Sequence, residues 1–348
     1  MSKVTTIAVD LAKHVFEVVL ADRHGKVLET RCLKSREAFY QFIRALEPGV
    51  RVGMEVGLGA QAWARVMQER GLTVYLLPAQ RVEEHRSGGK NDRKDARAIL
   101  RAMSDESIHP VAVKSSEQLA LQALHRARSG WVRRKTALSN QIRGLLLEHA
   151  VVLGQGDKRL VACVPALLAS ASVPIPERLR SLLAMLFQDW QQQQQRIATL
   201  EREFSQLARQ DPVARRLMTV PGFGELTATA LSCKGVDPNA FRNSRCFAAY
   251  FGIVPEQHGT GGKVRLGRMT KRGDRYLRAL AISGAHAVLR VVRKDDPSRE
   301  AKRLRHWRER HGATGAAVRL ANRNFRIAWA LLKTQSSYRK ASANAATP

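Results

Sequence analysis

The stretch VTTIAVD at residues 4–10 decides the fold, because it is a short apolar strand that runs straight into an acid, Asp10. Residues 15–21 and 26–33 have the composition of two further strands, and the turn between them, residues 22–25, ends in glycine. Three strands in succession predict an antiparallel meander. The first strand of this sheet therefore delivers a carboxylate at its end.

Downstream of the meander, the sequence alternates between helical and strand patterns. The alternating segments are residues 36–46, 50–54, 60–70 and 73–77. Together with the meander they give the element order βββαβαβ, which is that of an RNase H-like domain. We therefore expect an N-terminal α/β domain of this fold.

Four acids fall where this fold brings residues together. Asp10 and Glu55 end neighbouring strands, while Asp92 and Asp95 are three residues apart and share one face of a helix. Four carboxylates so close resist ionising together unless a cation neutralises them. Mg²⁺ or Mn²⁺ suits such hard oxygen ligands, and two ions can activate a nucleophile and stabilise a leaving oxygen at phosphorus. The alternative is a set of solvated acids, with Asp92 and Asp95 opening a capped helix of mixed charge.

The composition favours a nucleic-acid partner. The 348 residues carry 59 Lys and Arg against 30 Asp and Glu, which gives a formal net charge of +29. Such a balance attracts polyanions and releases counterions when phosphates are bound. No apolar run is long enough to span a bilayer, no Walker loop is present, and the four cysteines lack zinc-finger spacing. These features predict no membrane partner and a cytoplasmic, nucleoid-associated protein.

The middle of the chain is predicted to be helical. Residues 116–150 carry apolar residues at helical spacing with cations between them. The cations proposed to follow a phosphate backbone are Arg126, Arg133, Arg134 and Arg143. The alternative is the solvated face of a core helix. Prolines at 165, 174 and 176 then break the helical pattern, which predicts a boundary.

Beyond that boundary, apolar residues follow the 3,4 spacing of a heptad seam with one polar position. The seam consists of Leu183, Leu186, Trp190, Gln193, Ile197, Leu200, Phe204 and Leu207. Nearly four heptads suggest a coiled coil between protomers, in which the polar residue sets the register. The alternative is an intramolecular helical hairpin with residues 116–150. Either arrangement gives a long helical arm.

The C-terminal part begins with the turn VPGFG at residues 220–224, which leads into a helical segment. Such a turn is typical of hairpins whose amides meet a DNA phosphate at a helix N-terminus, and a plain helix start is the alternative. Residues 261–310 hold 16 Lys and Arg against five acids, with Tyr276 and Trp307 among them. Charge and stacking together predict contact with RNA or single strands, against the alternative of a solvated basic surface. The candidate cations are Arg242, Arg245, Lys263, Arg265, Arg268, Lys271, Arg272, Arg275 and Arg278.

Three further segments, FRNSRCFAAYFGIVP (241–255), GTGGK (259–263) and KRGDRYLR (271–278), complete a pattern that starts with the acids. Together they resemble the DEDD transposases of the IS110 type, which are related to the Piv invertases. The resemblance extends to a closing helix at residues 313–330. It implies a RuvC-like nuclease domain at 1–105, a helical arm with a coiled coil at 106–210 and a mainly helical transposase domain at 211–335. Residues 336–348 are expected to be a disordered tail.

The resemblance also implies roles for residues. Asp10, Glu55, Asp92 and Asp95 become the metal-binding tetrad, and Ser244 becomes the serine that links covalently to DNA. Donor and target DNA, a bridge RNA encoded by the element, and a dimer or tetramer of the protein follow from the same resemblance. Thr260 departs from the family pattern, which usually has Ser before the glycines, and this departure leaves Ser244 as the candidate nucleophile.

Ser244 has a physical interpretation of its own. A serine hydroxyl needs a base, a metal or a polarised phosphate to act as a nucleophile, and Arg242 and Arg245 flank it. No His or Asp stands at triad spacing, which favours activation by a metal. The alternative makes Ser244 the N-cap of a helix at residues 245–251.

The sequence therefore predicts a DNA recombinase that works by phosphoryl transfer. Two other functions stay open. One is a Holliday-junction-type endonuclease in which the acids alone activate water, without a covalent intermediate. The other is a non-catalytic nucleic-acid scaffold in which the acids only help the first domain to fold.

Overall fold

A computed structural model describes residues 3–87, 92–170, 175–260, 263–293 and 295–339. The chain forms two compact units. Unit 1 comprises Met1–Leu119 and Lys234–Arg242, and unit 2 comprises Ala120–Cys233 and Asn243–Pro348. The predicted arm and the predicted serine domain therefore fall largely within one unit, and a short segment from the C-terminal half belongs to the N-terminal unit.

Unit 1 is built on a five-stranded mixed sheet. Its strands are β1 (Thr6–Leu11), β2 (Phe16–Ala21), β3 (Val27–Leu33), β4 (Arg51–Glu55) and β5 (Thr73–Leu77), in the order β3-β2-β1-β4-β5. The first three strands pair antiparallel, and β4 and β5 run parallel to β1. The predicted meander and the two later strands are confirmed. Parallel neighbours require crossover helices, which is why helical segments separate β4 and β5 from the strands before them.

Each face of the sheet has its own core. Helices α1 (Arg36–Arg44) and α2 (Ala60–Glu69) cover one face, where Phe16 stacks on Phe39 with ring centroids 4.3 Å apart and Trp63 packs edge-on against both. Helices α3 (Ala79–Glu84) and α4 (Asp92–Ala102) contribute to the core on the other face. Because side chains alternate along a strand, this second face receives the even-numbered residues of β1 and the odd-numbered residues of β2.

Three helices follow, α5 (Ser116–Leu147), α6 (Asp157–Ala169) and α7 (Glu177–Gln210), and all but the first four residues of α5 belong to unit 2. The break predicted at Pro165 was wrong, because α6 continues through this proline. A proline removes one backbone donor, and Val164 beside it is buried in the core between the three helices, so packing outweighs the lost bond. The break predicted at Pro176 is confirmed, because α6 ends at Ala169 and α7 begins at Glu177, directly after this proline; Pro174 lies outside the described residues.

The heptad seam of α7 packs against α5 of the same chain. Trp190 donates its indole N–H to Ser139 Oγ at 2.8 Å, and Phe204 stacks on His125 with ring centroids 4.2 Å apart. These pairs run in opposite directions along the two helices, so α5 and α7 form an antiparallel hairpin. The structure therefore supports the intramolecular alternative for this seam rather than a coiled coil between protomers. Gln193, the polar seam residue, is buried within it.

The hairpin also buries a titratable group. His125 is 3% exposed, and its two ring nitrogens lie 3.1 Å from Tyr276 Oη and from Thr229 Oγ1. Thr229 donates its own proton to the Glu225 carbonyl, so its oxygen accepts from His125 Nε2 and leaves Nδ1 to accept from Tyr276. Burial is the main cause that lowers the pKa of His125 to about 4, with the charge of Arg128 adding to it. This histidine is therefore a neutral core residue.

The rest of unit 2 is mainly helical, as expected. Its elements are α8 (Pro212–Met218), α9 (Glu225–Ser232), α10 (Ser244–Tyr250), the hairpin β6 (Pro255–Thr260) and β7 (Lys263–Met269), α11 (Arg275–Val291) and α12 (Arg299–Thr334). A non-helical residue, Gly312 with φ 68°, divides α12 into two helical pieces, and the second contains the predicted closing helix. No helix in the described residues is long and apolar enough to cross a membrane.

Glycines set the turn at residues 220–224. Gly222 has a left-handed φ of 91°, and a Cβ on Gly284 of α11 would lie 1.8 Å from the Gly222 oxygen. The Pro221 carbonyl accepts a hydrogen bond from Asn324 of α12. This turn is thus a packing contact with α11 and α12, which supports the plainer of its two interpretations.

Part of the predicted disordered tail is held by hydrogen bonds. Tyr338 donates its backbone N–H to Thr219 Oγ1 at 2.8 Å and its hydroxyl lies 3.1 Å from Glu300 Oε2. Residues 340–348 lie outside the described residues.

Candidate active site

Two of the predicted metal ligands lie at one edge of the unit 1 sheet. In the parallel pair of β1 and β4, Val9 is aligned with Met54, so Asp10 and Glu55 follow side by side. Val9 and Met54 belong to the core on the α1 and α2 side, so both acids project to the opposite face, where α4 packs. The sheet register therefore brings Asp10 and Glu55 together as the sequence predicted.

Helix α4 supplies the third described acid. Asp95 is 6% exposed, and its Oδ1 lies 2.6 Å from Arg86 Nε in an ion pair that is not aligned as a hydrogen bond. Asp92 is the first residue of α4, but its side chain lies outside the described part of the structure. Among the described side chains, no group of three or more His, Cys, Asp and Glu is arranged to hold a metal ion.

The chemistry of this edge nevertheless fits a divalent cation. Its donors are carboxylate oxygens, the hard ligands that Mg²⁺ and Mn²⁺ prefer. On the same face, Glu17 Oε2 is buried and accepts no hydrogen bond from the described residues. A buried carboxylate oxygen without a donor is costly unless a cation or proton compensates it. We call Asp10, Glu55 and Asp95 the acidic edge.

Ser244 stands at the first turn of α10, but it does not cap that helix. Asn243 has extended backbone geometry, and its side chain accepts hydrogen bonds from the backbone N–H groups of Arg245 and Cys246, both at 3.0 Å. The interpretation of Ser244 as the N-cap was therefore wrong by one residue. The capping role falls to the neighbouring amide, so the local helix start does not need the Ser244 hydroxyl.

Ser244 lines a cavity of about 1140 Å³ within unit 2. Its walls come from the start of α10, the β6 and β7 hairpin and both pieces of α12. The cations and polar side chains of the lining are Arg268, Arg303, Arg319, Arg323, Arg326, His311, Asn322 and Thr314, with Trp307 beside them. Arg323 pairs with Glu300 at 2.6 Å, and the described residues give the other four arginines no ion pair. We call this lining the serine cavity; it suits a phosphate group by its charge.

Sequence reasoning missed most of this cavity. His311 lies far from Ser244 along the chain and at no triad spacing, yet both line the same space. The pKa of His311 is lowered from its ordinary value by loss of solvation, then by Arg319, Arg310 and His306. A lowered pKa keeps this imidazole neutral at pH 7, able to accept a proton. Arginines at helical spacing in residues 303–326 were the only sequence signal for this wall.

The predicted phosphate-binding cations fall into two groups. Those exposed to solvent are Arg126, Arg133, Arg134, Arg242, Arg245, Arg265, Arg268, Lys271, Arg272 and Arg275. Arg278 is buried and donates to the Phe251 carbonyl, while Arg143 donates to the carbonyls of Ser139, Gly154 and Gly156. The burial of Arg278 corrects its assignment to a nucleic-acid surface, whereas Arg143 is partly exposed and its assignment stays a prediction. The Lys263 side chain lies outside the described part.

Comparison with known proteins places both regions in transposases. Residues 7–151, which contain the acidic edge, match a family model described as "Transposase" (DEDD_Tnp_IS110), and residues 214–302, which contain Ser244, match "Transposase IS116/IS110/IS902 family". A "Probable family 20 transposase" of Pseudomonas aeruginosa is 42% identical over 96% of this chain and 98% of its own length. The "Transposase for insertion sequence element IS1111A" of Coxiella burnetii is 37% identical over 97% and 92%, respectively.

The protein is thus a transposase of the DEDD class, with DNA-cleaving and rejoining activity implied. More narrowly, the chain belongs to the IS110/IS116/IS902 family of insertion-sequence transposases.

Proposed function

We propose that this transposase cuts and rejoins DNA through a covalent phosphoserine at Ser244, with a divalent metal held at the acidic edge. The observation that carries the proposal is the serine cavity: a serine hydroxyl not needed for helix capping, in a space lined by arginines. A structural serine would be expected to cap α10, and Asn243 does so instead. Opposed charges in the two units, acids in one and arginines in the other, suit the metal and the phosphate respectively.

The proposed step is a transesterification. Ser244 Oγ attacks the scissile phosphorus, the new Ser–O–P ester forms, and the bond from phosphorus to the leaving deoxyribose oxygen breaks. The hydroxyl proton passes to a base and the leaving oxygen takes up a proton. In the reverse step, a DNA hydroxyl attacks the phosphoserine and releases Ser244, so the bond energy is conserved and no nucleotide triphosphate is needed.

Arginines of the serine cavity would orient the phosphate and stabilise its developing charge. Arg268, Arg319 and Arg326 are exposed at the lining and so are able to meet a ligand without breaking an internal ion pair of the described residues. A guanidinium offers paired donors to two phosphate oxygens. His311, neutral at pH 7, is the proposed proton acceptor for Ser244.

The acidic edge (Asp10, Glu55 and Asp95) would hold Mg²⁺ or Mn²⁺ together with Asp92 of α4. A bound divalent ion supplies Lewis-acid stabilisation of the phosphate and lowers the pKa of a coordinated hydroxyl or water. The sheet register supports the proposal for Asp10 and Glu55, which lie side by side at the ends of parallel strands. Helix α4, which packs on the same face of the sheet, carries Asp95, and the ion pair with Arg86 fixes the position of its side chain.

The proposed partners are donor DNA, target DNA and an RNA. The exposed cations of α5, β7 and the residues before α11 support nucleic-acid binding, because phosphate contacts from such side chains provide sequence-independent affinity. Guidance by a bridge RNA and assembly as a dimer or tetramer follow from the resemblance to IS110-type transposases. Because the α7 seam is buried against α5, assembly would have to use other surfaces.

The decisive experiment is mass spectrometry of nuclease-trimmed protein–DNA complexes. A nucleotide adduct on the peptide that contains Ser244 is the expected result, with Ser181→Ala as an exposed control substitution in the same unit. Free DNA ends with a water-derived oxygen, and no adduct, would point instead to the metal-dependent endonuclease. The same assay with His311→Gln should show slower adduct formation at neutral pH.

A further inference from the structure

Glu17 is a fourth described acid on the face of the sheet that carries the acidic edge. In the antiparallel pair of β1 and β2, Glu17 lies directly opposite Asp10. Its neighbours Phe16 and Val18 belong to the core under α1 and α2, so Glu17 projects to the other face with Val19, on which α4 packs. Directly opposed side chains in such a pair have Cβ atoms about 5 Å apart. Glu17 is therefore a direct side-chain neighbour of Asp10.

The burial of Glu17 is the second and independent observation. The residue is 8% exposed, and Oε2 is fully buried without a hydrogen bond from any described residue. Acids directly opposed across two strands repel each other, and a buried carboxylate oxygen without a donor adds to this cost. A fold with no use for this charge would place an apolar residue here, as it does at Val19 on the same strand and face.

We infer that Glu17 is a further ligand of the divalent metal at the acidic edge, binding through Oε2. This inference rests on the proposed function, because it concerns the same metal. A cation bound by both Asp10 and Glu17 offsets the repulsion between the two acids, and it supplies the partner that Glu17 Oε2 lacks among the described residues. Glu17 then belongs to the metal site because it lies opposite Asp10 across β1 and β2, although no sequence motif marks it.

The test is binding of Mn²⁺ alone to the full-length chain, measured by titration calorimetry without nucleic acid. Glu17→Gln should weaken the affinity by about tenfold or more, in the range typical of altered metal sites. Glu29→Gln is the matched control, because Glu29 lies on the adjacent strand β3, is exposed and is bonded to Arg31. It should leave Mn²⁺ binding unchanged. Glu17→Asp keeps the charge but shortens its reach, and should give an intermediate affinity.

Thermal unfolding in EDTA supplies a second readout with a distinctive sign. Removing an unpaired buried charge next to Asp10 should leave the metal-free Glu17→Gln protein as stable as wild type or more so. A purely structural glutamate would give the opposite shift. Wild-type affinity in Glu17→Gln, or loss of its metal-free fold, overturns the inference.

The comparison with Glu55→Gln separates this inference from the proposed function. If wild type binds Mn²⁺ and Glu55→Gln weakens it while Glu17→Gln does not, only the inference fails. If wild type binds no Mn²⁺ at all, the metal part of the proposed function fails as well.

Discussion

The acidic edge and the serine cavity are built in opposite ways. At the edge, backbone register does the positioning, because two parallel strands end side by side and place Asp10 next to Glu55. In the cavity, side chains from α10, the β6 and β7 hairpin and α12 meet across long stretches of sequence. A site positioned by register is visible in a sequence, whereas one assembled from distant helices is not. The two regions also carry opposite charge, which suits a metal and a phosphate.

The largest effect should come from Ser244→Ala in the cavity. Without the hydroxyl no ester can form, so strand exchange should fall by a factor on the order of 10³ or more. Binding of nucleic acid, measured by fluorescence anisotropy, should be nearly unchanged because the cations remain. Ser181→Ala, on the exposed face of α7, is the control. Strand exchange at the wild-type rate in Ser244→Ala would show that Ser244 is not the nucleophile and that the serine cavity is not the catalytic site.

The acidic edge should respond almost as strongly, with a different signature. Asp10→Asn and Glu55→Gln should each lower cleavage by roughly a hundredfold or more, since each removes a proposed metal ligand. Chelation with EDTA should abolish wild-type cleavage and Mn²⁺ should restore it. Full cleavage by the Asp10→Asn and Glu55→Gln double variant would contradict a role for the edge in metal binding.

The sequence predicts more of the acidic edge than of the serine cavity, because strand register is visible in a sequence and contacts between distant helices are not. The alternating strands and the acid after VTTIAVD indicate the sheet and Asp10 directly. The proposed role of Ser244 as the nucleophile came from the resemblance to a known family. The alternative prediction, that Ser244 is the N-cap of α10, was wrong by one residue, because Asn and Ser are both good N-cap residues and only the backbone geometry selects Asn243. Glu17 escapes notice because FEVVLA looks like an ordinary strand. His311 escapes because no local period links it to Ser244.

His125, which belongs to neither the acidic edge nor the serine cavity, has a role in stability that can be tested separately from the chemistry of those two sites. The lowered pKa of His125 means that the unfolded chain binds a proton below about pH 6.5 while the folded chain does not until about pH 4. Stability is therefore fully present above pH 6.5 and lost as pH falls towards 4, by about 3 kcal/mol in total. Denaturant unfolding at several pH values measures this loss.

The matched variants for that experiment are His125→Gln and His258→Gln. The first should be less stable at pH 7 but should lose the steep dependence between pH 6.5 and 4. The second replaces an exposed histidine of β6 and should behave as wild type. If His125→Gln keeps the wild-type pH slope, acid loss of stability has another origin.

The salt dependence of nucleic-acid binding separates surface cations from structural ones. Arg265→Ala and Arg275→Ala should each reduce the slope of log affinity against log salt by about 0.9 for duplex DNA and about 0.7 for a single strand. Arg278→Ala should leave the slope unchanged and instead reduce stability, because its guanidinium bonds the buried Phe251 carbonyl. Equal slopes in all three variants would place the phosphate contacts elsewhere on the chain.

The smallest expected effect concerns Asn243, the neighbour of Ser244, and it tests which of the two residues caps α10. Asn243→Ala removes the side chain that caps α10 and should cost about 1 kcal/mol of stability, with a modest loss of strand exchange. Asn243→Asp and Asn243→Ser, which keep a capping oxygen, should restore most of that stability. Ser244→Ala should show the reverse pattern, with stability kept and chemistry lost. Denaturant midpoints and strand-exchange rates for the four variants together decide the assignment. If Ser244→Ala destabilises the protein as much as Asn243→Ala does, the hydroxyl serves the helix start after all, and the nucleophile must be sought elsewhere in the cavity.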